Sequence, residues 1–207
     1  MTYNEIINLA LAYSDREDNT EISNKMAKFI KMVEARLNRV LQTLDMSSRA
    51  YTVMVEDQER YGLPTDFLSI RSIRIVDADT GVARKTLQYV NPEQMANLYD
   101  NGDTSGYYYT IVSNSLHIKP THNSDYKLEV DYYKKLTALT STNTTNWIST
   151  THPDCYVFGL MVEINAYVKD KETAALWEDR YKTAISEITA LNEQATWSGT
   201  ALHTRVG

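Results

Sequence analysis

Residues 151–168 read THPDCYVFGLMVEINAYV, and the first six admit three readings: a nucleophile with its base, a metal site, or the start of a helix. Proline has a fixed φ and no amide hydrogen, which suits the first helical position, so Pro153 puts His152 at the cap. Asp154 then falls in the first turn, where its charge meets the positive end of the helix dipole. Cys155 follows as a small group leading into apolar sequence. A helix start can lower a thiol's pKa. A thiol nucleophile also needs a distant histidine aligned by a third group, and the four histidines form no such signature. The stretch is therefore read as a helix start. Residues 156–168 are apolar on nearly every side, which predicts the buried centre of a helical bundle.

Working outward, residues 169–172 are a charged break, and residues 173–194 carry a one-faced stripe of Leu176, Trp177, Tyr181, Ala184, Ile185, Ile188 and Leu191. Residues 3–14 and about 20–44 predict two more helices, the second with Ile22, Met26, Phe29, Ile30, Val33, Leu37, Leu41 and Leu44 on one face. Asp18 with Glu21 resembles a capping box for it. Lys25, Lys28, Lys31, Glu34 and Arg36 are read as its solvated side. Residues 137–151, rich in Thr, Ser and Asn, read as a connection.

The middle of the chain has a different period. The stretches 51–56, 67–76, 107–113, 116–120 and 126–136 are short, β-branched and aromatic. In YKLEVDY, Tyr126, Leu128, Val130 and Tyr132 share one side and Lys127, Glu129 and Asp131 the other. Ser113-Asn114-Ser115 and residues 121–125 read as turns, and Asn91 caps a short crossing helix with Pro92 in its first turn. The expected fold is α+β: an antiparallel bundle of about four helices with a small antiparallel sheet inserted between the two helical pairs. Its parts are a helical hairpin over 1–49, the sheet over 50–136, a second hairpin over 137–195 and a flexible tail over 196–207.

Candidate chemistry is thin. His117, His122, His152, Cys155 and His203 match no zinc spacing, and there is no phosphate loop, nucleophile elbow or dinucleotide turn, so no metal or cofactor is expected. Glu163 is the one acid inside the apolar helix. A buried carboxylate can serve as a raised-pKa acid, but it more often pairs with arginine, and Arg36 or Arg39 stands within reach if the helices pack. The net charge of −6 argues against a protein that grips nucleic acid. No apolar run approaches membrane-spanning length, the N-terminus does not read as a secretory signal, and a single Cys makes cytoplasmic synthesis the default. Fifteen Tyr against three Phe suit wet subunit interfaces.

Several stretches, in order, carry a resemblance: FIKMVEARLNRVLQTLDM (29–46), YGLPTDFLSIRSI (61–73), LQYVNPEQMANLY (87–99), IKPT (118–121) and NWISTTHPDCYVFGLMVEINAYVKDKETAALWEDRYKTAI (146–185). Together they resemble the head-to-tail adaptor proteins of tailed bacteriophages, also called connector or head completion proteins. Cys155 stands where that pattern has a Leu-like residue, and Ala166 where it often has Pro. The resemblance implies a non-enzymatic part of the virion at the head–tail junction. It would form a ring, typically twelvefold, beneath the portal protein ring, extending the exit channel and offering a platform to the next tail protein. Double-stranded DNA would pass without specific binding, which an acidic balance favours. The last dozen residues carry no usable pattern, and Trp197, Leu202 and Arg205 are expected there as a portal-docking anchor. Before assembly the protein is expected to be a monomer. Two other roles compete: a tail tube or nozzle component, and a virion-borne cell-wall glycan hydrolase, which would need a second carboxylate about 5–10 Å from Glu163.

Overall fold

Two breaks in the N-terminal apolar stripe shape the helical part of the protein. The structure, a computed structural model, describes residues 1–100 and 106–197. Its elements are α1 (Tyr3–Tyr13), α2 (Thr20–Ser23), α3 (Met26–Val40), a 3-10 turn (Leu44–Met46), β1 (Ser47–Val53), β2 (Arg60–Gly62), β3 (Phe67–Asp77), β4 (Ala83–Thr86), β5 (Gln88–Tyr89), α4 (Pro92–Asp100), β6 (Tyr108–Val112), β7 (Ser115–Lys119), β8 (Tyr126–Lys134), α5 (Trp147–Thr151), α6 (Pro153–Tyr167) and α7 (Lys171–Trp197). The single helix expected over 20–44 is thus two. Asn19, not Asp18, caps α2, accepting from Ile22 N at 3.1 Å. Ser23 and Asn24, weak residues in a helix interior, end it after one turn. Helix α3 stops at Val40 because Leu41 is extended, with φ −97° and ψ 133°.

Among the described residues the chain is α+β with seven α-helices and two four-stranded sheets. The expectation of a bundle of about four helices with one small sheet is therefore corrected. The missed pieces share a physical cause. RYG, ARKT and QY, the strands β2, β4 and β5, are too short to show a period, and pairing alone makes them strands. Helix α5 hides in the polar connection because its signal is a cap. Asn146 accepts from Ser149 N at 2.9 Å while Ser149 Oγ accepts from Asn146 N at 2.9 Å.

The chain divides into two compact units, Met1–Asp45 with Leu136–Gly207, and Met46–Lys135. In the helical unit α6 touches α1, α3, α5 and α7. Its buried residues, Cys155, Tyr156, Val157, Gly159, Leu160, Met161, Val162, Ile164 and Asn165, run around most of the helix, as its apolar sequence requires. Ile6 and Ala10 of α1, Ile30, Val33 and Leu37 of α3, and Tyr181 and Ile188 of α7 close the core around it.

Gly159 lets the helices approach. A Cβ there would stand 2.8 Å from Val33 Cγ1 and 3.1 Å from Tyr181 Cε2. Val33 is fully buried and β-branched, so it has no free rotamer to retreat to. Gly159→Leu is expected to lower the unfolding free energy by about 3 kcal/mol, because overpacking outweighs the roughly 1 kcal/mol of helix propensity gained. Urea titration followed by far-UV circular dichroism reads this; an unchanged midpoint would sink it.

In the sheet unit the orders are β1-β8-β3-β4 and β2-β7-β6-β5, antiparallel throughout except β5 beside β6. One core draws on both sheets: Ile73, Ile75, Leu128, Val130 and Tyr132 from the first, Tyr61, Leu116 and Ile118 from the second. Leu128, Val130 and Tyr132 are buried together, as the alternation of β8 dictates. Tyr132 keeps a polar handle, its hydroxyl donating to Asp66 Oδ1 at 3.0 Å.

Candidate functional site

The His152-Pro153-Asp154 motif is a corner between helices. His152 ends α5 and precedes α6, with φ −133° and ψ 57°, and its N–H donates to Ile148 O at 2.7 Å. Pro153 opens α6, and the His152 ring meets Trp147 edge-on at 6.1 Å. Asp154 is exposed on a shallow groove with Phe158, Asp179 and Arg180. Cys155 is wholly buried. Burial first, then the charges of Asp154 and Glu187, push its thiol up to about 12, so the helix start yields no thiolate at neutral pH.

Arg36 stands among acids. Its Nη2 donates to both Glu178 oxygens at 2.7 Å, Nη1 lies 3.8 Å from Glu163 Oε1, and the guanidinium sits 4.6 Å from the Tyr181 ring centre. Arg39, exposed in the last turn of α3, takes no part in this cluster. Burial raises the Glu163 pKa, Arg36 opposes the shift, and Glu178 adds to it.

A second polar network has Glu34 at its centre, the residue read as solvated; at 6% exposure it is buried. It accepts from Leu139 N at 2.7 Å and from the Tyr156 hydroxyl at 3.2 Å. Asn146 Nδ2 donates to Tyr156 Oη at 2.7 Å and to Thr137 O at 2.9 Å. This one network ties the loop after the sheet, the cap of α5 and the first turn of α6 to α3. Desolvation raises the Glu34 pKa, against the pull of Leu139 N–H, Tyr156 and Lys31. The sequence signal was spacing: Glu34 lies four after Ile30 and three before Leu37, on the stripe itself.

His117 lies in β7. His122 is stacked on Tyr107 at 5.7 Å and tilted against Tyr126 at 5.1 Å. Among the described residues no three His, Cys, Asp or Glu cluster to hold a metal ion, and no helix is long and apolar enough to cross a membrane. Trp197 is the last residue of α7, which extends beyond the expected end at 194. Leu202, His203 and Arg205 lie outside the described residues.

Two surface features stand apart from these networks. At the end of α7, Thr43, Leu44, Trp147, His152, Ile188 and Leu191 line a groove of about 330 Å³. The Thr43 hydroxyl and Trp147 indole N–H are buried there without a hydrogen bond. In the sheet unit, β1 is an edge strand. Beside it Ala50, Thr52, Gly62, Leu63, Pro64 and Leu128 line a slot of about 190 Å³ between the two sheets. The outer face next to β1 is charged and largely paired within itself, Arg74 Nε being buried there without a hydrogen bond. Asp131 accepts from Arg49 Nε and Ser72 Oγ, and Glu129 pairs with Arg49 and Arg74 and accepts from Tyr51 Oη at 3.0 Å. Arg49 foremost holds the Asp131 carboxyl below its ordinary pKa.

Among the described residues the polar side chains around Arg36 and Glu34 form two networks in the helical unit. A family model described as SU10 adaptor protein matches residues 1–205. The chain belongs to the SU10 adaptor protein family. No curated protein matches it. As a phage adaptor it is a viral structural protein, a component of the virion that works through contacts with other phage head and tail proteins.

Proposed function

We propose that this adaptor docks as a twelvefold ring beneath the portal, extends the DNA exit channel and presents the platform on which the tail is built. The observation that carries the reading is the family match over residues 1–205. The net charge of −6 supports it, because a channel crossed quickly by DNA must not hold phosphates. So does the Tyr-rich sheet unit, with Tyr51 and Tyr89 56% and 60% exposed, as ring contacts favour large flat side chains with a wet edge. The hydrolase alternative is weakened by Arg36, which engages both Glu163 and Glu178. Co-sedimentation of the full chain with portal rings of the same phage tests the proposal. A saturating complex with one copy per portal subunit is expected; no co-sedimentation would move the protein further down the tail.

A further inference from the structure

Strand β1 presents an unusual edge. Its register with β8 is unbroken over seven residues, Ser47↔Tyr133 to Val53↔Lys127. Met54 N donates to Tyr126 O, so by alternation the N–H groups of Arg49, Tyr51 and Val53 point away from β8, toward the open side. Natural edges are blunted by shortness, proline, bulges or charge, and of these β1 has only the charge of Arg49, which is turned onto Glu129 and Asp131. The edges β2, β4 and β5 are two to four residues long, while β1 is seven, without proline or bulge, and leaves Tyr51 and Val53 56% and 50% exposed. The apolar slot between Thr52 and Gly62 opens beside this edge. A free backbone ladder next to a side-chain pocket is how proteins capture an added strand: the ladder supplies affinity and the pocket selects the residue.

We propose that the edge of β1 and its slot receive residues 198–207 of the neighbouring copy, making the tail a strap between subunits. The proposal rests on the ring reading above. These ten residues, SGTALHTRVG, follow α7 and place Thr200, Leu202, Thr204 and Val206 on one side of an extended chain, His203 and Arg205 on the other. Ten extended residues reach about 33 Å, enough to cross a subunit boundary. Leu202 is the side chain for the slot. Charge agrees: the segment carries Arg205 and no acidic side chain, and exposed Glu56 and Asp57 come three and four residues after the end of β1. Arg205 against these acids sets the added strand parallel to β1.

The test uses two full-length single variants, Thr52→Cys and Leu202→Cys, mixed, assembled on portal rings and treated with diamide. Cys155 is buried and stays silent. A disulfide joining one variant to the other can form only between copies and is the expected result. Adding Val53→Pro to the Thr52→Cys chain is expected to lower its yield at least about tenfold, since that N–H bonds nothing within its own sheet. Intact rings without cross-links overturn the strap and leave the ring reading standing. Absence of rings removes both. In a further chain carrying both Thr52→Cys and Leu202→Cys, a disulfide found only within single chains also overturns the proposal, by placing the tail on its own copy.

Discussion

Arg36→Ala is expected to cost about 3 kcal/mol of unfolding free energy, among the largest effects of any single change in the helical unit. The guanidinium is the only cation described near Glu163, whose side chain is 12% exposed, and it bonds Glu178 through one nitrogen at 2.7 Å. Removing it leaves Glu163 facing Glu178, which keeps only the exposed Lys182 at 3.6 Å, and strips a cation from the face of Tyr181. Loss of one partner of a fully buried pair costs about 3–5 kcal/mol, and the quarter exposure of Arg36 and Glu178 puts this case at the lower end. Arg36→Lys recovers only part of it, because an ammonium cannot fork between two acids while lying flat on a ring. Combining Arg36→Ala with Glu163→Gln and Glu178→Gln recovers most of the loss, since the like charges are then gone. Urea unfolding followed by far-UV circular dichroism measures all three; a loss below about 1 kcal/mol for Arg36→Ala would show the pair to be ornamental.

Glu34→Ala is expected to cost about 2–4 kcal/mol. The substitution leaves the buried Leu139 N–H and the Tyr156 hydroxyl without their acceptor, and an orphaned buried polar group costs about 1–3 kcal/mol. Glu34→Gln keeps an acceptor oxygen and should cost far less. The two variants also separate in pH. Burial raises the Glu34 pKa, so the folded state holds this proton more tightly than the unfolded chain does. Its contribution to stability is full below the ordinary glutamate pKa and is lost as pH rises through the higher folded value. The stability of the native protein minus that of Glu34→Gln should therefore fall across that window, other acids cancelling in the difference. A difference independent of pH would mean that Glu34 is not desolvated, and the buried network would have to be redrawn.

Much of the helical unit was legible in the residues. The apolar circumference of residues 156–168 belongs to a helix touched by α1, α3, α5 and α7, and of the stripe read on α7 Trp177, Tyr181, Ala184 and Ile188 are buried while Leu176 and Leu191, at its margins, are 54% exposed. Periodicity over three or more turns survives tertiary context, because many residues must agree. Short elements have no such redundancy. Helix α2, α5 and the strands of two to four residues exist because a cap or a partner strand completes their hydrogen bonds. Glu34 was misread for a related reason: charge argued for solvent, while its place on the stripe argued for the core, and Tyr156 and Leu139 settled the matter from more than a hundred residues away.

By itself the sequence determined the alternation of β8, the buried character of α6 and, through the ordered stretches from 29 to 185, the family. Each depends on residue types along one element or on a matching order, which a one-dimensional reading retains. The tertiary structure alone decided that the strands form two sheets around a shared core, that Arg36 stands between Glu163 and Glu178, and that β1 is the edge strand of its sheet beside an apolar slot. Those features depend on which distant groups meet, and meeting is set by packing all the elements at once.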